Sequence, residues 1–230
     1  MEKLIYLLWP KPGQTGADFS AQLTALAQYF AANGAERVQL NIVDGDVEAG
    51  AHRRQINQFE PWVANINFWL DSSQTRMPLQ TQLENICGRI AGYLVTESEP
   101  LRNTAHRAPA GQRTPGFSQL VMLRKPERLS REEWLNIWWG SHTQIAIDTQ
   151  STFRYVQNLV ALPLTLDAPL VDAIVEECFP IEALNSDEAF YDSVGNKEQF
   201  KQRVDTMIKS CMRFIEFDKL QVILTSEYRF

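Results

Sequence analysis

Apolar and polar positions alternate in blocks along this chain, and the blocks repeat. The run KLIYLLW (3–9) reads as a strand, and GADFSAQLTALAQYFAA (16–32) carries apolar residues at helical spacing. Continuing in this way, the first half gives strand 3–9, helix 16–32, strand 37–43, strand 61–70, helix 80–91 and strand 92–98. The second half gives strand 117–124, helix 131–149, strand 153–162, strand 170–178, helix 197–214 and strand 219–228. Both halves spell β-α-β-β-α-β, the ferredoxin-like order.

Local landmarks repeat in the same order. Lys11-Pro12 and Lys125-Pro126 each follow the first strand of their half. Each is followed by a helix-start signal, Thr15-x-x-Asp18 and then Ser130-x-x-Glu133. Only the second predicts a full capping box, because glutamate reaches back to the cap amide and aspartate is too short to do so well. Leu129 and Trp134 have the spacing of a hydrophobic staple around that cap. GYLVTESEPL (92–101) and QVILTSEYRF (221–230) also echo each other. These landmarks divide the chain into a first unit (1–100), a Pro/Gly-containing polar linker (101–116) with little expected structure of its own, and a second unit (117–230). A ferredoxin-like unit leaves one apolar sheet face bare, and such a face must be buried. The expected fold is therefore α+β: two tandem ferredoxin-like units packed sheet to sheet as a pseudo-dimeric α/β barrel within one chain.

Composition narrows the function. The 230 residues carry a formal net charge of −6 and no basic run longer than two, which argues against nucleic acid as a partner. Three scattered cysteines, Cys87, Cys178 and Cys211, fit buried free thiols better than disulfides or a metal clip. The apolar start is stopped by Pro10 and Pro12, too short for a membrane span and without a signal-peptide cleavage site. The expectation is a cytoplasmic protein without a membrane partner. Nucleotide-loop, zinc and serine-hydrolase motifs are absent, so no cofactor and no metal are expected.

Candidate chemistry concentrates in RKPERLSREEWLNIWWGSHTQIA (124–146), which holds three of the six tryptophans and one of the three histidines. On a regular helical wheel, Leu135, Trp138, Trp139, His142, Ile145, Ala146 and Thr149 form one stripe, with His142 in its middle. With the two caps superposed, His142 falls opposite Ala27, and Trp138 and Trp139 opposite Leu23 and Thr24. The first unit thus keeps the helix and lacks the cluster, which separates the cluster from what the fold needs. The other two histidines, His52 and His106, fall in a hairpin flank and in the linker. A second constellation is PLVDAIVEECFP (169–180), where Asp172 and Glu176 share a strand face with Ile174 and Cys178. Carboxylates on an apolar strand are costly unless paired or wet, so either acid is a candidate to orient His142 or to exchange a proton with it. Which sheet face they occupy is left open by the pattern.

The second unit resembles the EthD family of the dimeric α/β-barrel proteins, on RKPERLSREEWLNIWWGSHTQIA, FRYVQNLV (153–160), VDAIVEECF (171–179) and FIEFDKLQVILTSEYRF (214–230). The first unit matches more faintly. The resemblance implies the barrel and a largely apolar pocket between sheet and helices. Carried onto these positions it adds Arg124, Tyr155 and Asn158 as polar lining to the catalytic candidates His142, Asp172 and Glu176 and the substrate-holding Trp138 and Trp139. The function so implied is a cofactor-independent lyase or isomerase, dehydratase- or cyclase-like, acting on an apolar cyclic or aromatic small molecule. A non-catalytic small-molecule-binding accessory protein is the alternative. A haem site with His142 as axial ligand comes third, because it asks for more room than three tryptophans would leave. A homodimer stays open.

Overall fold

The computed structural model describes all 230 residues. Its strands are β1 (Glu2–Trp9), β2 (Glu36–Ile42), the two-residue β3 (Gln55–Ile56), β4 (Ala64–Leu70), β5 (Arg89–Leu101), β6 (Phe117–Leu123), β7 (Arg154–Pro163), β8 (Ala173–Phe179) and β9 (Gln221–Arg229). Within the first unit the strands pair in the order β2-β4-β1-β5, and within the second in the order β7-β8-β6-β9. Both are the antiparallel ferredoxin-like order.

The two sheets meet at their edges. β5 pairs with β7, and β2 pairs with β9, with Gln39 opposite Arg229 and Ile42 opposite Ser226. Eight strands thereby close into one barrel, and neither sheet keeps a free edge to be managed. The expected burial of the bare sheet faces is met by their becoming the barrel interior. That interior is divided along its length. One end is apolar, with Ile5, Leu7, Trp9, Trp62, Tyr93 and Met122 in a single buried cluster. The other end is polar and holds Lys3, Gln39, Asn67, Arg154, Glu176 and Glu227, all buried.

Helices cover the outside of each sheet. In the first unit α1 (Gly16–Ala32) and α2 (Met77–Ile86) pack over β1, β2 and β4 through a tight apolar layer that includes Phe19, Leu23, Ala27, Phe30 and Phe68. Thr15 caps α1 by accepting from the Asp18 amide, without the reciprocal bond of a capping box. α2 stops earlier than its apolar pattern suggests, at Ile86. Gly88 follows, so close to β1 that an added Cβ would lie 2.6 Å from the Pro10 carbonyl oxygen. β5 therefore starts at Arg89 rather than at 92.

In the second unit the cover is α3 (Arg131–Ile137), α4 (Thr143–Thr149), the short α5 (Asp187–Phe190) and α6 (Lys197–Cys211). Ser130 and Glu133 form the predicted capping box, and Leu129 packs against the Trp134 cluster as a staple should. The expected single helix 131–149 is interrupted by a π-helical turn over Trp138–His142. The linker is more ordered than its composition suggests. The Gly111 and Thr114 amides donate to the Arg229 and Glu227 carbonyls, so the segment runs beside the end of β9. His106 stacks on Phe153 with ring centroids 4.1 Å apart. No helix is long and apolar enough to cross a membrane.

Candidate functional site

A cavity of about 620 Å³ lies between the outer face of β7-β8-β6-β9 and the helices of the second unit. That is within the usual range of about 300–1,000 Å³ for small-molecule sites. Fifteen of its 22 lining residues are apolar. Strand alternation builds the floor: Val121 and Leu123 from β6, Tyr155 from β7, Val175 and Glu177 from β8, and Val222 from β9. Helices supply Trp138, His142, Met207 and Cys211. His52, Arg53 and Gln55 reach over from the first unit and border the same cavity.

The π turn shifts the inward positions by one residue beyond His142, while Trp138, Trp139 and His142 keep the pattern of Leu23, Thr24 and Ala27 in α1. Buried positions in α1 follow an ordinary helix, at Phe19, Leu23, Leu26, Ala27 and Phe30. In the second unit Trp134, Trp138 and His142 match Phe19, Leu23 and Ala27, and the next inward residue is Ala146 rather than Ile145, because the wider turn inserts one residue. Trp138 and His142 face inward, while Trp139 faces out and is 49% exposed. The regular wheel placed Trp139 in the stripe; it is not a wall of the cavity. The turn itself is held by the Thr143 hydroxyl, which donates to the Trp138 carbonyl and accepts from Gln157.

His142 is 6% exposed, and its Nδ1 lies 2.9 Å from the Ser210 hydroxyl on α6. Burial, with the nearby Arg213 charge adding to it, pushes the imidazole down to about 4, so it is neutral at physiological pH. Trp138 donates its indole N–H to the Tyr155 hydroxyl at 3.1 Å, which fixes both rings in the wall. Glu177 brings the one buried carboxyl to this cavity. Burial pushes it up to about 7, and its hydrogen bond from the Gln119 amide only partly offsets that. Cys211 also borders the cavity, its thiol pushed up to about 12 by burial and by Glu177.

The two carboxylates singled out by sequence lie elsewhere. Glu176 points into the barrel, on the opposite side of the sheet from His142, where Arg154 and Gln39 donate to it. Asp172 precedes β8 and accepts from the Arg124 side chain at 2.9 Å and from the Lys125 amide at 2.8 Å, pinning the end of β6. Neither is brought to the cavity, so neither orients His142. Arg124 is committed to Asp172 and the Leu170 carbonyl, and Asn158 to Lys3 and the Ile174 carbonyl inside the barrel. Of the eight candidates, the cavity gathers His142, Trp138 and Tyr155. Glu177 was missed, although the signal was present: it alternates with Val175 and Ala173 on the face opposite Glu176.

A metal would need ligands with room between them. Glu176, Cys178 and Glu227 place ligand-type atoms within 4.8 Å of one another. Arg154 already supplies positive charge there, 2.8 Å from both carboxylates. The trio therefore reads as one buried ion network. The haem objection changes too: only Trp138 of the three tryptophans borders the cavity, so the space is larger than the tryptophan count implied.

No protein-family model and no curated protein matches the chain. Similarity appears at the level of solved structures. An anthrone oxidase-like protein superposes with a TM-score of 0.55 at 8% identity, covering 100% of this chain and 91% of that one. A protein assigned as a chlorite dismutase gives 0.53 at 9% identity, covering 99% and 95%. One assigned as a monooxygenase, from Fusobacterium nucleatum, gives 0.51 at 9%, covering 99% and 91%. At such identities the likeness concerns fold alone. The chain has the dimeric α/β-barrel fold, assembled here within a single polypeptide.

Proposed function

We propose that this is a small-molecule protein whose working site is the sheet–helix cavity, and that it carries out cofactor-independent acid–base chemistry on an apolar, cyclic or aromatic substrate, as a lyase or isomerase. This is the EthD-like reading with Glu177 in place of both Asp172 and Glu176. The observation that supports it is the presence of two differently tuned proton carriers on one apolar cavity: a neutral His142 and a Glu177 that titrates near neutrality. A group whose pKa lies near the working pH exchanges protons most effectively. Glu177 is the general acid or base. His142, with Nδ1 engaged by Ser210, offers its other ring nitrogen to the substrate. Trp138, held by Tyr155, supplies a flat apolar wall.

The test is turnover of a panel of aromatic and alicyclic phenols, ketones and lactones by the purified protein, followed by mass spectrometry. Glu177→Gln and His142→Ala should each lower turnover by about 10² to 10⁴-fold while the fold is kept. Undiminished turnover in both folded variants rejects the assignment. Saturable binding of these compounds without any product, lost in the same variants, makes the protein the non-catalytic accessory binder instead.

A second reading, a haem pocket, is favoured by the size of the cavity and by a buried neutral histidine whose Nδ1 is fixed by a hydroxyl, leaving its other ring nitrogen free to hold iron. Bound haem would supply redox chemistry, with His142 as its ligand. A Soret band on titration with hemin, absent in His142→Ala, supports it; an unshifted hemin spectrum removes it.

A further inference from the structure

The polar end of the barrel opens to solvent through a second cavity of about 450 Å³, on the far side of the sheet from His142. Its inner wall is formed by Lys3, Gln39, Asn67, Glu97 and Arg154. Lys3 pairs with Glu97, and Arg154 pairs with Glu99 as well as with Glu176 and Glu227. These pairs absorb the deep charge. At the mouth stand Arg37, Arg102 and Arg229, the last paired with Glu227 at 2.9 Å. Arg102 is 3.6 Å from Glu99 and largely exposed, and Arg37 has no carboxylate in ion-pair reach. Its guanidinium stacks on Trp69 instead, 5.3 Å from the ring centroid.

Arg37 occupies this place at a cost. Its φ is 51°, in the left-handed region that a non-glycine residue rarely adopts, and it sits where the β2–β4 register shifts between Glu36 and Gln39. Bulges of this kind re-aim a side chain, and backbone strain of this kind gathers at binding sites. Nothing in the barrel closure needs arginine at that position, because β2 resumes regular pairing at Gln39.

Just behind the inner wall two buried acceptors lack donors: Glu176 Oε2 and Asn65 Oδ1. Gln39 donates to the other Glu176 oxygen, and Asn65 donates to Asn67, so both belong to the network that forms the wall. Buried acceptors of this sort call for a hydrogen-bond donor. A ligand that engages this wall carries hydroxyls inward, toward Gln39 and Asn67, and an anionic group outward, toward the arginines.

We propose that the barrel mouth is a second binding site, for a small hydroxyl-bearing organic anion, either a phosphate ester or a carboxylate. Its anionic group sits among Arg37, Arg102 and the Glu227-paired Arg229, and its hydroxyls meet Gln39 and Asn67. Isothermal titration of the full chain with glucose 6-phosphate, gluconate, glucose and inorganic phosphate tests this. At least one hydroxylated anion should bind saturably, at least tenfold tighter than glucose or inorganic phosphate; which one binds identifies the anionic group. Arg37→Gly relieves the backbone, so it should keep or raise the melting temperature while weakening that binding at least fivefold. It should leave binding in the His142 cavity unchanged. The proposal is overturned if neither hydroxylated anion binds, if inorganic phosphate binds as tightly, or if Arg37→Gly binds as well as the parent.

Discussion

Glu176 and Glu177 are neighbours in β8 and face opposite sides of the same barrel wall. Both are buried, and burial alone would push both carboxyls up. Arg154 and Lys3 outweigh that for Glu176 and hold it well below the ordinary carboxylate range. Glu177 has no cation beside it, and it rises to about 7 from an ordinary 4.5. In the folded protein it therefore keeps a proton that the unfolded chain releases. Its contribution to stability is complete below 4.5 and is lost as pH rises through about 7. Glu177→Gln should be stabilising by on the order of 3 kcal/mol at about pH 8 and neutral at about pH 4. Urea denaturation at the two pH values checks it; equal effects at both would show that Glu177 is ionised in the fold.

His142 works in the opposite direction. Its folded value of about 4 lies below the ordinary 6.5, so the unfolded chain takes up a proton that the folded one refuses. That contribution is complete above 6.5 and is lost as pH falls through about 4. An NMR titration of the imidazole Cε1–H should show no protonation shift until the protein approaches pH 4. A midpoint near 6.5 would mean that the ring is solvated and the cavity wet.

Arg154 binds Glu99, Glu176 and Glu227 from one buried side chain. Arg154→Met should cost about 3–5 kcal/mol, because it strands carboxylates away from water. Adding Glu176→Gln and Glu227→Gln should recover a large part of that loss. Chemical denaturation of the single and triple variants measures both numbers. A loss below about 1 kcal/mol for the single variant would show that the network is open to water.

Trp138 and Trp139 are adjacent and should behave as differently as a core and a surface residue. Trp138 is fully buried and hydrogen-bonded to Tyr155, so Trp138→Ala should destabilise by about 3–5 kcal/mol. Trp139→Ser should change stability by less than about 0.5 kcal/mol. Similar costs at both positions would show that Trp139 is packed as deeply as Trp138.

Much of this architecture is written locally. Ser130 and Glu133 mark the start of α3 through side-chain chemistry that any chain segment can express by itself, and the repeated strand-helix order is visible as periodicity. The cavity was only half legible. Alternation along β8 separates Glu176 from Glu177 but does not say which face meets a helix. That is decided by long-range pairing of β8 between β6 and β7, so the acid chosen from sequence was the one inside the barrel. Trp139 was misplaced because the helical wheel was centred on the half-buried Leu135 rather than on the fully buried Trp134. The π turn rests on Thr143 and Gln157 meeting across α4 and β7, and no residue within the helix announces it. The closure through β5–β7 and β2–β9 likewise joins segments far apart in the chain, beyond the reach of any local pattern.

The joining of both sheets in one polypeptide has a consequence for how this barrel can diverge. A barrel made from two identical chains comes apart on dilution and must carry each residue twice, once per copy. Here assembly is unimolecular, so barrel closure does not depend on protein concentration. The two halves are also free to differ position by position. One helix can keep Ala27 and a filled apolar layer, while the other takes His142 and gives up packing for an empty volume. An asymmetric duty of this kind, with one half as scaffold and the other as vessel, is open to a single chain and closed to a symmetric pair.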